Sequence, residues 1–90
     1  MEISRTVRVV NSQGLHARPC HSIVSAALEY QSELRIRNGG HEVSGRSILE
    51  LMTLNAALGT QLELRGKGGD AEALVSTIEE LFRSGFGEDS

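Results

Sequence analysis

The sequence predicts an α+β domain, a single sheet carrying three helices on one face, in the order β-α-β-β-α-β-α. Two observations predict it. Four short segments alternate apolar and polar side chains with the period of a half-buried strand, and three others repeat apolar residues with the period of a helix. A strand with one apolar face belongs to a sheet open to water on one side, and helices with one apolar stripe cover the other. The pattern alone also allows a ferredoxin-like arrangement.

The first strand is expected over residues 5–10, with Val7 and Val9 on the buried face and Thr6 and Arg8 outside. Asn11-Ser12-Gln13-Gly14 then turns the chain. A helix follows over residues 17–30. Pro19 suits its first turn, where a missing N–H costs nothing, and Ile23, Val24, Ala27 and Leu28 form its apolar stripe. The second strand, residues 32–37, turns Leu34 and Ile36 inward, and Asn38-Gly39-Gly40 is a hairpin signal. Residues 41–44 return as a short strand centred on Val43, and Gly45 breaks it.

A second helix is expected from Ser47 to about Leu58, ended by Gly59, with Ile48, Leu51, Leu54 and Leu58 facing the core. Residues 60–65 form the fourth strand around Leu62 and Leu64, and Gly66-Lys67-Gly68-Gly69 reads as a loop. Asp70 is expected to cap a third helix whose core stripe is Leu74, Val75, Ile78, Leu81 and Phe82. Residues 85–90 are expected to fray. The whole chain, 1–90, is read as one domain without repeats or linkers.

Composition narrows the function. The formal net charge of −3 has the wrong sign for a nucleic-acid binder, and 3% aromatic residues leave no stacking platform for bases. Cys20 is the only cysteine, so no internal disulfide can form, which suits a reducing compartment. The first residues lack the basic-then-apolar layout of a signal peptide, and no apolar run is long enough to span a bilayer. These features lead us to expect a cytoplasmic monomer without membrane insertion. Nothing forms a catalytic triad, an acid pair or a phosphate-cradling loop, so no catalysis in its own right is expected.

His16 carries the chemistry. It falls at the N-cap of the first helix or beside it, where free backbone N–H groups and the helix dipole disfavour an imidazolium. A neutral ring keeps one unprotonated, nucleophilic nitrogen. An anion attached there would lie over the helix amides, with Arg18 adding charge-assisted hydrogen bonds and Gly14 leaving the approach open. A place unfavourable to a cation thus favours a covalently held phosphoryl group. The plain alternative is a surface histidine with no role.

Two further clusters stand out. Ser47-Ile48-Leu49-Glu50 fits a capping box, which makes Ser47 an N-cap. Leu49 and Met52 lie off the core stripe of the same helix and mark an exposed patch for a partner. His16, Cys20 and His21 have spacings that can place two metal ligands on one side, but further ligands are missing and no metal is expected.

The stretch Gly14-Leu15-His16-Ala17-Arg18-Pro19 resembles the active-site signature of the HPr family, the histidine-containing phosphocarriers of the bacterial phosphotransferase system. Gly45-Arg46-Ser47-Ile48-Leu49, followed by Met52-Thr53-Leu54, is similar to the regulatory-serine segment of that family, and the likeness runs from about residue 3 to residue 84. The resemblance implies an HPr-like open-faced β-sandwich, a four-stranded antiparallel sheet in order 1-4-2-3 with three helices on one face. It implies that Nδ1 of His16 takes a phosphoryl group from enzyme I, itself charged by phosphoenolpyruvate, and passes it to IIA domains of sugar permeases. Arg18 would assist at the phosphoryl group, and Ser47 would be the target of an ATP-dependent HPr kinase. Leu15, Arg46, Ile48, Leu49 and Met52 would bind partners, and no cofactor is implied.

The chain departs from the family where many members carry lysines beside the histidine. The matching positions are approximately Ser25, Leu28 and Glu50, while Arg46 stays basic. Steering toward an acidic partner should therefore be weaker than usual. The same departure opens a second reading, a regulatory module acting through Ser47 phosphorylation with little carrier flux.

Overall fold

In the computed structural model, which describes residues 1–88, four strands form one antiparallel sheet. They are β1 (Glu2–Arg8), β2 (Glu33–Asn38), β3 (His41–Ser44) and β4 (Gln61–Lys67). Their order is β1-β4-β2-β3, as the family resemblance implies. Every pairing is antiparallel, and β4 and β2 hold the centre of the sheet, which sets aside the ferredoxin-like alternative, whose split βαβ units put the first and third strands there. Three helices, α1 (Ala17–Ala27), α2 (Ile48–Met52) and α3 (Ala71–Arg83), complete the main framework.

Register places apolar side chains in line across the buried face. Val7 stands opposite Leu62, and Ile36 stands opposite both Leu64 and Val43. These residues, with Leu34 and Val9, are buried with Ile23, Leu51, Leu74, Ile78 and Phe82 from the helices. The other face is charged: Arg37 pairs with Glu63 at 2.7 Å and Arg35 with Glu42 at 3.2 Å. Such partly exposed pairs contribute about 0.2–1 kcal/mol each, so the buried face holds the fold together.

Several elements end elsewhere than the sequence suggests. α1 stops at Ala27 instead of residue 30, because Glu29 and Tyr30 donate to carbonyls three residues back and tighten the turn. Its inner face is Pro19, Cys20, Ile23 and Ala27, whereas Leu28, expected in the stripe, is exposed. α2 is five residues long, not twelve. Asn55 adopts a left-handed φ of 50°, and the carbonyl of Ala56 accepts a hydrogen bond from the Leu15 amide at 2.9 Å. Residues 54–58 therefore serve as a wall for the loop before α1, and Leu58, expected in the core, is exposed.

Gly66 and Lys67 belong to β4, not to a loop. Gly66 is needed there for packing. A Cβ on it would lie 2.6 Å from Cγ2 of Val75 and 3.2 Å from the Ala71 carbonyl, so its absence lets α3 approach the sheet. Asp70 occupies the N-cap position of α3 but makes no side-chain cap. Its carboxylate instead accepts from the amides of Gln31 at 2.9 Å and Ser32 at 2.8 Å, fastening the connection between α1 and β2. Hydrogen bonding from the Ser32 hydroxyl, then from the Gln31 amide, holds the Asp70 carboxyl below the usual range.

The segment after α3 also departs from expectation. Gly85–Gly87 forms a 3-10 turn in which the Phe86 ring packs edge-on against Phe82, centroids 4.9 Å apart. Gly85, Phe86 and Gly87 all have left-handed φ values, and Gly85 is buried. The turn brings Glu88 back over the start of α1. Asp89 and Ser90, the rest of the segment expected to fray, lie outside the described residues.

Candidate functional site

His16 is the N-cap residue of α1, with extended backbone (φ −86°, ψ −169°) and no side-chain cap. Its carbonyl accepts the first intrahelical bond, from Cys20 at 3.2 Å. The amides of Ala17 and Arg18 precede that bond and have no intrahelical acceptor, and Pro19 has no N–H to leave unpaired. The helix start thus offers donors beside the ring without a side chain competing for them.

The loop before the helix is fixed by two residues. Gly14 has φ +70°, and a Cβ on it would lie 2.5 Å from the Ala56 carbonyl. Its role is this close approach to the 54–58 wall; clearing a path to the histidine, the role expected from sequence, is not what requires glycine. Asn11, buried in the turn, donates its amide to the Gly14 carbonyl at 2.8 Å. The second Asn11 donor goes to Oε1 of Glu88 at 3.0 Å.

The imidazole is partly open, its side chain 34% exposed. Nε2 lies 2.9 Å from Oε2 of Glu88 and 3.2 Å from Oε1. Hydrogen bonding from His16 is the foremost reason that the Glu88 carboxyl lies below the usual range; the Asn11 amide and the charges of His16 and Arg18 act the same way. A carboxylate only accepts, so the proton of this pair sits on Nε2. A neutral His16 then has its lone pair on Nδ1, the nitrogen that the resemblance implies is phosphorylated.

Open ground lies on two sides of the ring. One cleft, of about 470 Å³, is lined by Gln13, His16, Arg18, Gly87 and Glu88. The other, of about 330 Å³, runs from Gln13, Leu15 and His16 to Met52, Asn55 and Ala57. Arg18 is exposed, and its charge acts on Glu88, which places it at the first cleft. Met52 lines the second, and Leu49, 80% exposed, extends the apolar surface on α2.

The remaining expected partner-binding residues are placed differently. Leu15 is buried and gives its side chain to the core beneath the histidine, so it presents little surface. Ile48 is half-buried against the same core. The Arg46 guanidinium donates to the carbonyls of Tyr30 at 2.6 Å and Ser32 at 3.3 Å, bracing the end of α1. Ser25, Leu28 and Glu50, where lysines were missed, are all exposed.

Ser47 caps α2, accepting from the Glu50 amide at 3.2 Å. The capping box is not closed on Ser47: Glu50 Oε1 accepts from the Ser44 amide at 3.0 Å. Among the described residues no group of three or more His, Cys, Asp and Glu is gathered as a metal site. Cys20 faces the core, and burial pushes its thiol up to about 11, while His21 is exposed. No helix among the described residues is long and apolar enough to cross a membrane.

Sequence reasoning missed Asn11 and Glu88. Asn11 reads as a turn former, and Glu88 lies in a polar segment expected to fray. The usable signal was Gly85-Phe86-Gly87, an aromatic ring between two residues of high backbone freedom, which marks an anchored turn and not a loose end.

Residues 3–84 match the family described as "PTS HPr component phosphorylation site". The chain is 39% identical over 87 residues to a phosphocarrier protein HPr of Treponema pallidum, covering 97% of this chain and 99% of that one. It is 33% identical over 90 residues to the phosphocarrier protein NPr of Escherichia coli, covering 99% and 100%. The HPr-C-His structure from Thermoanaerobacter tengcongensis superposes with a TM-score of 0.93 at 30% identity, over 98% of this chain and 99% of that one. With fold, motif and relatives in agreement over nearly its whole length, the chain belongs to the HPr family of phosphotransferase-system phosphocarriers, which carry a phosphoryl group and are not catalysts.

Proposed function

We propose that this chain accepts a phosphoryl group on Nδ1 of His16 from phosphoenolpyruvate-charged enzyme I and donates it to IIA domains of sugar permeases. The observation that carries the reading is the pairing of an accessible His16 ring with the start of α1, its Nε2 engaged by Glu88 and its Nδ1 left with the lone pair. The lone pair attacks phosphorus as the bond to the donor breaks and its electrons leave with the donor group. The amides of Ala17 and Arg18, with the Arg18 guanidinium, stabilise the oxygens of the transferred group. In the outward step the N–P electron pair returns to Nδ1.

Docking rests on Leu49 and Met52 beside the second cleft, with Arg46 contributing only what its guanidinium leaves over from Tyr30 and Ser32. Because Ser25, Leu28 and Glu50 supply no positive charge, this docking is more apolar than electrostatic. The site of action is the cytoplasm, where enzyme I and the IIA domains would meet it.

The regulatory reading through Ser47 has less support. Its hydroxyl is occupied as the cap of α2, and α2 has only five residues, so little dipole is available to stabilise an added charge of about −1.5 to −2. The Glu50 carboxylate, in the first turn of the same helix, would repel it.

The experiment is incubation with enzyme I and phosphoenolpyruvate. The expected result is an acid-labile label on the wild-type chain and none on His16→Ala. Full labelling of His16→Ala overturns the proposal. Incubation with an HPr kinase and ATP tests the rival, which requires an acid-stable label lost in Ser47→Ala.

A further inference from the structure

The segment after α3 is built to deliver one carboxylate to one nitrogen. Phe86 anchors on Phe82, Gly85 is buried, and left-handed backbone at Gly85, Phe86 and Gly87 reverses the chain. Glu88 then meets two donors, Nδ2 of Asn11 at 3.0 Å and Nε2 of His16 at 2.9 Å. Asn11 is itself immobilised by its bond to the Gly14 carbonyl, in the loop that carries the histidine. The carboxylate is therefore aimed from both ends, and its side chain is only 13% exposed.

We propose that Glu88 is a positioning residue of the phosphoryl cycle: its carboxylate holds a proton on Nε2 of His16, so that Nδ1 is the nitrogen that attacks phosphorus and leaves it again. This rests on the carrier reading above and adds a residue to it. Before transfer, the bond selects the tautomer with the lone pair on Nδ1. As the N–P bond forms, the ring gains positive character, and the carboxylate on its far nitrogen balances it. After transfer the Nε2 proton is still shared with Glu88. When the N–P bond breaks toward an acceptor, its electron pair returns to Nδ1 and the leaving group is a neutral imidazole. Without that proton the ring would have to leave as imidazolate, a far stronger base and a poorer leaving group. The proton stays on the ring throughout, and phosphorus is neither oxidised nor reduced.

The ring keeps the two negative groups apart, with Glu88 at Nε2 and the phosphoryl group at Nδ1. The Arg18 charge, which also acts on Glu88, offsets their repulsion.

Two measurements on wild type, Glu88→Gln and Glu88→Ala test the proposal. Ring ¹⁵N chemical shifts of His16, taken without phosphate or partners at a pH where the ring is neutral, report the tautomer directly. We expect the Nε2–H form to dominate in wild type and to give way to a mixture in Glu88→Ala. The rate of phosphoryl transfer from the loaded carrier to a IIA domain should fall about 10-fold or more in Glu88→Ala, by analogy with the loss of an orienting partner from a metal-bound histidine. Glu88→Gln, which keeps a hydrogen-bonding oxygen but not the charge, should fall between the two. A tautomer ratio and transfer rate unchanged in Glu88→Ala overturn the proposal. If wild type takes up no phosphoryl group, the carrier reading fails instead, and the ¹⁵N shifts still decide whether Glu88 sets the tautomer.

Discussion

Nε2 of His16 lies 2.9 Å from Glu88, and Arg18 stands exposed on the same edge of the helix start. In the proposed transfer the guanidinium acts as a charge-assisted donor to phosphoryl oxygens, and contacts of that class contribute about 1.5–3 kcal/mol. Arg18→Ala should therefore slow phosphorylation of His16 about 10- to 100-fold at unchanged thermal stability, measured by rapid-quench labelling with enzyme I. Asp70 supports a different prediction. Its folded-state carboxyl lies below the usual range, so its bonds to the Gln31 and Ser32 amides stabilise the fold above the unfolded value of about 4 and are lost as pH falls through the lower folded value. The difference in Tm between wild type and Asp70→Asn should be present at neutral pH and shrink below about pH 4.

The elements show what the sequence made legible and what it hid. Period-two alternation found all four strands, although β1 runs over Glu2–Arg8 and not residues 5–10, because the sheet buries one face and the register permits no slip without exposing Leu34, Ile36, Leu62 and Leu64. The end of α2 was hidden. Ile48, Leu51, Leu54 and Leu58 keep a helical spacing, yet the turn at Asn55 is set by a tertiary bond from Leu15, which no local pattern reports. Gly66 misled for the same reason, since its glycine answers to α3 packed above it. Gly66→Ala should cost about 1–3 kcal/mol by overpacking against Val75, read from chemical denaturation, whereas Gly69→Ala, which meets no atom, should cost much less.

Across the whole molecule, the sheet and α3 provide a base, while the proposed transfer site lies at one end, where the loop before α1, the end of α2 and the segment after α3 converge on His16. His16 and Arg18 were readable because the motif lies within six consecutive residues; Glu88 was not, since it reaches the ring across 72 positions of chain. The proposed docking surface is separable from the base. Leu49 is 80% exposed, so Leu49→Ser should change stability by no more than about 0.5 kcal/mol yet slow transfer from enzyme I. Phosphorus NMR on the intact chain mixed with enzyme I and phosphoenolpyruvate reaches the central claim most directly. The account predicts a phosphoimidazole resonance with wild type, assignable to Nδ1 and absent from His16→Ala. A resonance that persists in His16→Ala, or a wild-type chain that stays unphosphorylated beside an active donor, would contradict it.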